Sequence, residues 1–307
     1  MKAIRVQEYG NPAVLQLEEL DDPIAGRGEV LIEVEGAAVN PIDWKILSGS
    51  KKAVIPLSLP YTPGVEVAGT VAAIGRDVTD FAVGDAVFGF IGIAGGYATR
   101  AVAPTERLAL APRSLSMLQA SGVAATALTA WQALHEHAGI EPGQTVLIHG
   151  AAGGVGSMAV QLARNAGATV IATASASNHA YLENLGANQL IDYRRQAFEK
   201  VVAKVDIVLD LIGGETQERS WQVLRPGGVL VSPVSAPNPE LARVHAVQAK
   251  HFATRPDGKQ LAAITALFDA GRLSIEVEAF ALSQAHQALE KSMAGHARGK
   301  MVLDTRR

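Results

Sequence analysis

The stretch Thr145-Val-Leu-Ile-His-Gly-Ala-Ala-Gly-Gly-Val-Gly-Ser157 carries the most chemistry in this chain. An apolar strand runs into a glycine turn, and the turn opens a helix. Such a turn lets backbone N–H groups approach a pyrophosphate without interference from Cβ atoms, and the helix start adds its positive dipole end. Written as G-x-G-x-x-G, the motif has Ala151 at its first position, then Gly153 and Gly156, with Gly150 one place earlier. The main-chain groups of Ala152, Gly153, Gly154, Val155 and Gly156 are the expected phosphate contacts. The helix reaches Gly167, a C-terminal stop, and a second apolar strand, Ala168–Thr173, follows at once. Strand, turn, helix and strand fit in about thirty residues, the size of a dinucleotide-binding unit. The plainer alternative is a bare βα turn that binds nothing.

In an NAD site an acid about twenty residues past the glycines accepts from the ribose 2′-OH. Here that region reads Thr173-Ala-Ser-Ala-Ser-Asn-His179, with no acid before Glu183. A carboxylate would repel a 2′-phosphate, whereas hydroxyls, an amide and an imidazole donate to one. Ser175, Ser177 and Asn178 are therefore candidate phosphate contacts. His179, Arg194 and Arg195 are nearby positive groups, and Tyr193 joins the candidate cofactor set. The expected cofactor is NADPH rather than NADH. Ser-Ala-Ser-Asn also suits a helix cap, and the two roles are compatible. Ile212 and Gly213 follow a later apolar strand and should border the ribose at the sheet's carboxyl edge. Pro233 to Ala236 end the next strand and are placed near the nicotinamide amide.

These residues need elements to hold them. Past Pro112 the chain alternates helical stretches (Ser116–Ala125, Leu128–His137, Thr216–Leu224) with apolar strands at Gln189–Asp192, Val205–Ile212 and Gly228–Ser232. That pattern predicts a doubly wound parallel sheet. The tail predicts a strand at Ala246–Ala253, helices at Gly258–Ala270 and Ser283–Ala294, and a closing strand at Lys300–Asp304. Before Pro112, short runs at Met1–Gln7, Glu29–Val34, Val67–Ile74 and Ala86–Phe90 alternate with Gly, Pro and Asp turns. Crowded short strands of this kind suggest a compact barrel.

With 307 residues the chain suits two domains. A net charge of −3 gives no electrostatic reason to expect nucleic acid or an anionic membrane as partner. No run of about eighteen apolar residues appears, and the N-terminus lacks a signal peptide's apolar core, so a cytoplasmic enzyme is the expectation. The cysteine count is zero, which removes disulfides, thiolate nucleophiles and cysteine-ligated zinc together.

Taken in order, several motifs resemble the zinc-free quinone oxidoreductase branch of the medium-chain dehydrogenase/reductase superfamily. They are Val39-Asn-Pro-Ile-Asp-Trp-Lys45, Pro63-Gly-Val-Glu-Val-Ala-Gly-Thr-Val71, Val83-Gly-Asp-Ala-Val87, Gly95-Gly-Tyr-Ala98, Thr126-Ala-Leu-Thr-Ala130, the glycine turn, Leu224-Arg-Pro-Gly-Gly228 and Gly299-Lys-Met-Val-Leu303. The similarity spans essentially the whole chain. It implies an α/β protein with a GroES-like barrel over residues 1–113 and 272–307 and a Rossmann domain over 114–271. It further implies NADPH in a cleft between them, and a homodimer joined through the Rossmann edge strand at Val247–Ala253. In zinc-dependent relatives the loop that here reads Asn40–Asp43 carries a cysteine ligand, and the position of Val65 carries a histidine. Neither ligand is present, and Glu66 alone does not make the three-ligand site that catalytic zinc needs. A metal-free site is implied.

Without a Lewis acid, alkoxide formation loses its main support. Acceptors that delocalise their incoming charge, quinones and α,β-unsaturated carbonyls, remain. The resemblance puts Asn40 beside the nicotinamide or substrate, where its amide would donate to a developing oxyanion. An Asn-Pro turn is the structural alternative. Lys45 and Tyr61 are the other catalytic candidates, weighed against a solvated lysine and a rim tyrosine. The proton donor is open, because the tyrosine that many relatives carry further along this loop is replaced by Trp44 and Lys45. Tyr97 is expected to pack structurally. Thr126 is placed against the nicotinamide by resemblance, with a threonine bonding to its own helix as the alternative. Lys300 is expected either to reach the cofactor or to pair with an acid on the barrel, and His149 to support the turn. His135, His137, His286 and His296 show no metal-ligand grouping. A nucleotide-binding sensor or scaffold without turnover is the competing function.

Overall fold

The computed structural model describes residues 1–295 and 298–307, so His296 lies outside the described residues. The chain forms two compact units: Met1–Ala125 with Pro256–Gly271 and Ile275–Arg307, and Thr126–Arg255 with Arg272–Ser274.

The second unit holds a six-stranded, wholly parallel sheet. Its order is Gln189–Asp192, Thr169–Ala174, Thr145–Ile148, Val205–Leu209, Leu224–Ser232, Gln248–His251. Counted along the chain this is 3-2-1-4-5-6, the order of a Rossmann sheet. Its first strand has no exposed residue, as expected where helices cover both faces. The order reverses between the strand that feeds the glycine turn and the strand Val205–Leu209. Main-chain groups at their carboxyl ends therefore flank one crevice, the place where such sheets take ligands.

The first unit is built on a seven-stranded sheet ordered Val277–Ala281, Lys300–Asp304, Glu29–Ala38, Glu66–Ile74, Ala86–Phe90, Leu108–Leu110, with Arg100–Pro104 also paired to Glu29–Ala38. All pairs are antiparallel except the first. The C-terminal strands thus return to the N-terminal sheet. Ile4, Val34, Ile46, Tyr61, Val67, Tyr97 and Leu303 belong to its buried core.

The unit boundaries differ from 113/114 and 271/272, and hydrogen bonds give the reason. The Ser114 N–H donates to Asp269 Oδ1 at 3.1 Å, and the Thr265 hydroxyl donates to the Leu110 carbonyl at 3.0 Å. These contacts tie helix Gly258–Asp269 to the first unit. Ser274 is held in the second by Gln161, which donates to its carbonyl at 3.0 Å and accepts from its N–H at 2.8 Å. Between residues 116 and 137 two helices were expected. The chain forms Met117–Ser121, Ala124–Trp131 and a π-helical turn Gln132–His137, with the first break at Gly122.

Candidate active site

The glycine turn is shaped by contacts that only glycine permits. Gly150 sits at φ +68°, the left-handed region. A Cβ on Gly156 would stand 2.4 Å from the Gly150 carbonyl oxygen and 2.6 Å from Ala151 Cα, so glycine here lets the helix start pack on the turn. A Cβ on Gly153 would meet nothing nearer than 3.6 Å. That face is open, as a cradle for a pyrophosphate must be. Gly153 caps the twelve-residue helix Gly154–Asn165, so the main chain of Gly154 and Val155 opens its first turn, with Gly156 packed beneath. Buried His149 sits under the turn. Ser220 Oγ donates to the Thr216 carbonyl at 2.7 Å and so accepts from His149 Nε2 at 3.1 Å; Nδ1 then accepts from Thr173 Oγ1 at 3.0 Å. Burial lowers the His149 pKa to about 4, which leaves the ring neutral and in a structural role.

Across the crevice the loop after Val205–Leu209 is organised by Asp210, which sequence reasoning missed. Its fully buried carboxylate accepts from the N–H groups of Ile212 (3.0 Å) and Gly213 (2.9 Å) on Oδ1 and from Gln217 Nε2 (2.9 Å) on Oδ2. Gly213 is at φ +80°, and Ile212 is left exposed. Gln217 also donates to the Ser235 carbonyl, which ties in the Pro233–Ala236 loop. An acid two residues before Ile-Gly-Gly was the available signal.

Ala174 pairs with Asp192 at the ends of adjacent parallel strands, so Ser175 and Tyr193 leave the sheet side by side. The Ser175 and Ser177 hydroxyls are 3.1 Å apart, and Asn178 Nδ2 donates to Ser175 Oγ at 3.1 Å. Exposed Tyr193 carries the Arg194 guanidinium 5.7 Å from its ring centre. The structure therefore gathers three small polar groups, a cation and an aromatic face at one edge. Thr126 is buried in the helix Ala124–Trp131, and Thr129 shares a 2.7 Å hydrogen bond with Thr254.

The first unit contributes a buried polar cluster. Asn40 precedes a helix, Pro41–Leu47, where a turn was the alternative; proline at its first position needs no N–H donor there. Lys300 Nζ lies 2.8 Å from Glu66 Oε1 and donates to Asn40 Oδ1 at 2.5 Å. Asn40 Nδ2 donates to Glu66 Oε1 at 2.9 Å and to the Ala38 carbonyl at 3.3 Å. Glu66 Oε2 accepts from the Ala125 N–H at 2.6 Å. Both amide protons of Asn40 are thereby committed within the protein. Donation from this amide to an oxyanion, the sequence expectation, would require one of those two bonds to open. Lys300 thus pairs with an acid, Glu66.

Asp43 is also buried. Its Oδ2 accepts from the Asn40 N–H at 2.7 Å and from the Tyr97 hydroxyl at 2.8 Å, so Tyr97 is a hydrogen-bonding member of the cluster as well as a packed ring. Burial, opposed by those two hydrogen bonds and by Lys300, raises the Asp43 pKa to about 7. Burial likewise raises Tyr97 and Tyr61 above the usual phenol value. The Tyr61 ring is buried and its hydroxyl has no partner among the described residues. Lys45 is half-buried with its ammonium 5.4 Å from the Trp44 ring centre, and burial, with Lys51 nearby, lowers its pKa. Among the described residues no group of three or more His, Cys, Asp or Glu is arranged to hold a metal ion.

Comparison with known proteins agrees with these features. The family described as "Alcohol dehydrogenase GroES-like domain" matches residues 26–113, and the one described as "Zinc-binding dehydrogenase" matches residues 185–303. A quinone oxidoreductase of Sus scrofa is 33% identical over 99% of this chain and 97% of its own length. A 2-methylene-furan-3-one reductase of Solanum lycopersicum is 32% identical over 99% of this chain and 79% of its own length. The structure of an Escherichia coli quinone oxidoreductase complexed with NADPH superposes with a TM-score of 0.89 at 26% identity, covering 99% of this chain and 100% of that one.

Proposed function

The chain belongs to the quinone oxidoreductase-like branch of the medium-chain dehydrogenase/reductase superfamily, an oxidoreductase with a GroES-like and a Rossmann domain, and from that premise we propose that it is a metal-independent, NADPH-dependent reductase of quinones or α,β-unsaturated carbonyls. The observation that carries this reading is the glycine turn at the reversal point of a 3-2-1-4-5-6 sheet, open at Gly153 and followed by a second strand that ends in hydroxyls instead of an acid. The main chain from Ala152 to Gly156 holds the pyrophosphate. Ser175, Ser177 and Asn178 donate to the 2′-phosphate, with Arg194 as its counter-charge and Tyr193 as the flat neighbour of the adenine end. Ile212 and Gly213 border the ribose. When bound, NADPH supplies a hydride.

Metal independence is supported by residue chemistry. The chain has no cysteine, and Val65 has no ligating atom. Glu66, the residue that follows Val65, is already neutralised by Lys300 at 2.8 Å. A divalent ion would have to displace an ammonium to use it. Acceptors that spread their own negative charge need no such ion, and orientation of the reacting pair contributes roughly 7–11 kcal/mol. Names among the relatives cover both acceptor types, a quinone reductase and a reductase of an enone. Asn40 and Lys300 serve as a rigid polar support, and Tyr61 offers the unpaired hydroxyl. The Gln248–His251 edge strand is the proposed homodimer seam, and the cytoplasm the proposed location; among the described residues no helix is long and apolar enough to cross a membrane.

The test is stopped-flow absorbance at the nicotinamide band with a quinone and an enone, run with NADPH and NADH. Oxidation of NADPH by either acceptor, faster than of NADH, is expected, and Ser175→Asp should reverse the cofactor preference. If neither acceptor oxidises NADPH, the reading fails. Stoichiometric zinc in the active protein would overturn its metal-free part.

A further inference from the structure

Two loops leave the sheet of the second unit side by side, one after Val205–Leu209 and one after Leu224–Ser232, adjacent parallel strands whose ends pair Leu209 with Val231. The loops approach closely: a Cβ on Gly213 would stand 3.0 Å from Ser235 Oγ and 3.5 Å from Val234 Cγ1. The first loop also leans on the glycine turn, because a Cβ on Gly150 would stand 3.0 Å from Ile212 Cδ1. Each loop leaves one aliphatic side chain outside, Ile212 at 54% and Val234 at 43% exposure. Such groups beside a nucleotide turn suit a flat, partly apolar part of a ligand.

One side chain holds both loops. Gln217 lies on helix Gly214–Ser220 and is buried. Its Nε2 donates to Asp210 Oδ2 at 2.9 Å and to the carbonyl and hydroxyl oxygens of Ser235, each at 3.2 Å. A carboxylate and a main-chain carbonyl only accept, so the amide serves both solely with its nitrogen turned towards them. Each loop is also braced at its own base. Asp210 Oδ1 accepts from the Ile212 and Gly213 N–H groups. Buried Ser232 Oγ accepts from the N–H groups of Val234 at 3.2 Å and Ser235 at 3.3 Å. Those braces fix the shape of each loop. Gln217 fixes their separation.

We infer that Gln217 is the positioning residue for the nicotinamide half of the cofactor: by clamping the loop at Ile212 and Gly213 to the loop at Val234 and Ser235, it sets the frame that receives the ribose and the nicotinamide. The inference rests on the cofactor reading given under Proposed function. Because the clamp is made of buried protein groups, the frame is set by folding, and cofactor binding need not order it. Hydride transfer depends on how the ring meets the acceptor, and a displacement of about 1 Å costs roughly 100-fold. Without the two amide protons, Asp210 Oδ2 and the Ser235 carbonyl lose this shared donor, and the loops are free to part. Ser175, Ser177 and Asn178 follow a different strand, Thr169–Ala174, and bond among themselves, so the 2′-phosphate end is independent of the clamp.

Gln217→Met keeps the length of the side chain and removes both amide protons. Two ligands separate the halves of the cofactor: NADPH, and 2′,5′-ADP, which carries the adenosine and the 2′-phosphate but no nicotinamide. In calorimetry the variant should bind NADPH at least about tenfold more weakly than wild type, and 2′,5′-ADP within about twofold of it. In single-turnover stopped flow with saturating NADPH and a quinone, its hydride step should slow at least about tenfold. If Gln217 merely supports folding, both ligands weaken together or neither does. Either pattern overturns the inference, as does a smaller split or a hydride step slowed by less. Should the variant not fold, hydrogen exchange of the wild type decides. NADPH should slow the Ile212, Gly213 and Ser235 amides at least about threefold more than 2′,5′-ADP does, and a smaller difference overturns the inference. A wild type that binds no NADPH removes the cofactor reading and this inference with it; a wild type that binds NADPH, beside a variant without the split, removes this inference alone.

Discussion

Replacing Lys300 by methionine tests how the polar cluster of the first unit is held. Methionine keeps most of the stem and removes the ammonium that sits 2.8 Å from Glu66 Oε1. The two side chains are 5% and 0% exposed, so solvent cannot take over the charge. Removing one partner of a buried pair costs about 3–5 kcal/mol. Glu66 keeps the Ala125 N–H and one Asn40 amide proton, which argues for the lower end, about 3 kcal/mol. Asn40 Oδ1 also loses its donor, adding about 1 kcal/mol. The expected loss is therefore about 4 kcal/mol, a large share of the 5–15 kcal/mol that roughly bounds domain stability. Glu66→Gln in the same background removes the orphaned charge but keeps shape and an acceptor. The double variant should regain about 2–3 kcal/mol over the additive expectation. Urea unfolding of wild type, both single variants and the double variant closes the cycle. A Lys300→Met cost below about 1 kcal/mol, or additivity within about 0.5 kcal/mol, would refute the account of a desolvated, mutually dependent pair.

The glycine turn separates folding from binding. Gly156→Ala forces a Cβ against backbone at 2.4 Å and should destabilise the second unit by about 1–3 kcal/mol, whereas Gly153→Ala meets only a 3.6 Å contact and should leave the melting temperature unchanged. Calorimetry should nonetheless find NADPH binding weakened at least about tenfold in Gly153→Ala, since its methyl group occupies the cradle; unchanged affinity would remove the cradle assignment. Asp43 gives a pH signature of stability. Its folded pKa of about 7 exceeds the unfolded 3.8, so the folded state binds the proton more tightly. The contribution is complete below the unfolded value and is lost as pH rises towards the folded one. Over that span of about three pH units wild type should lose about 4 kcal/mol relative to Asp43→Asn, and parallel urea midpoints for the two proteins would contradict it.

The sequence was most legible where one physical requirement dominates a short segment. Strands covered on both faces must be largely apolar, and Thr145–Ile148 and the run beginning at Val205 could be read that way. The closing strand Lys300–Asp304 and the strand Ala86–Phe90 were placed to the residue. The strands that escaped are short or mixed. Leu15–Glu19 has no buried residue, Arg100–Pro104 ends in a proline, and Val277–Ala281 is an outer strand without a clear alternation. Their conformation comes from the partners they pair with, which a local window does not contain. Helix Pro41–Leu47 was hidden for a different reason. Asn-Pro is read equally well as a turn or as a cap followed by a first helical residue, and only the return bond from Asp43 to the Asn40 N–H distinguishes them.

The candidate site follows the same division. Phosphate-facing groups are local, because a turn and two strand ends suffice to present them. The polar cluster is not. Lys300 meets Asn40 across 260 positions and Asn40 meets Glu66 across 26, so their pairing is decided by sheet register: Lys300–Asp304 and Glu66–Ile74 both pair with the C-terminal end of Glu29–Ala38, which leads directly into Asn40. Once that register is set, Glu66 is a neutralised carboxylate and Asn40 an amide whose two protons are both committed. What is left without a partner in the cluster, among the described residues, is one oxygen of Asp43. The unpartnered polar atoms of this unit thus lie at buried positions that no local window of sequence marks, and among the described residues they belong to Arg5, Asp43, Trp44 and Tyr61.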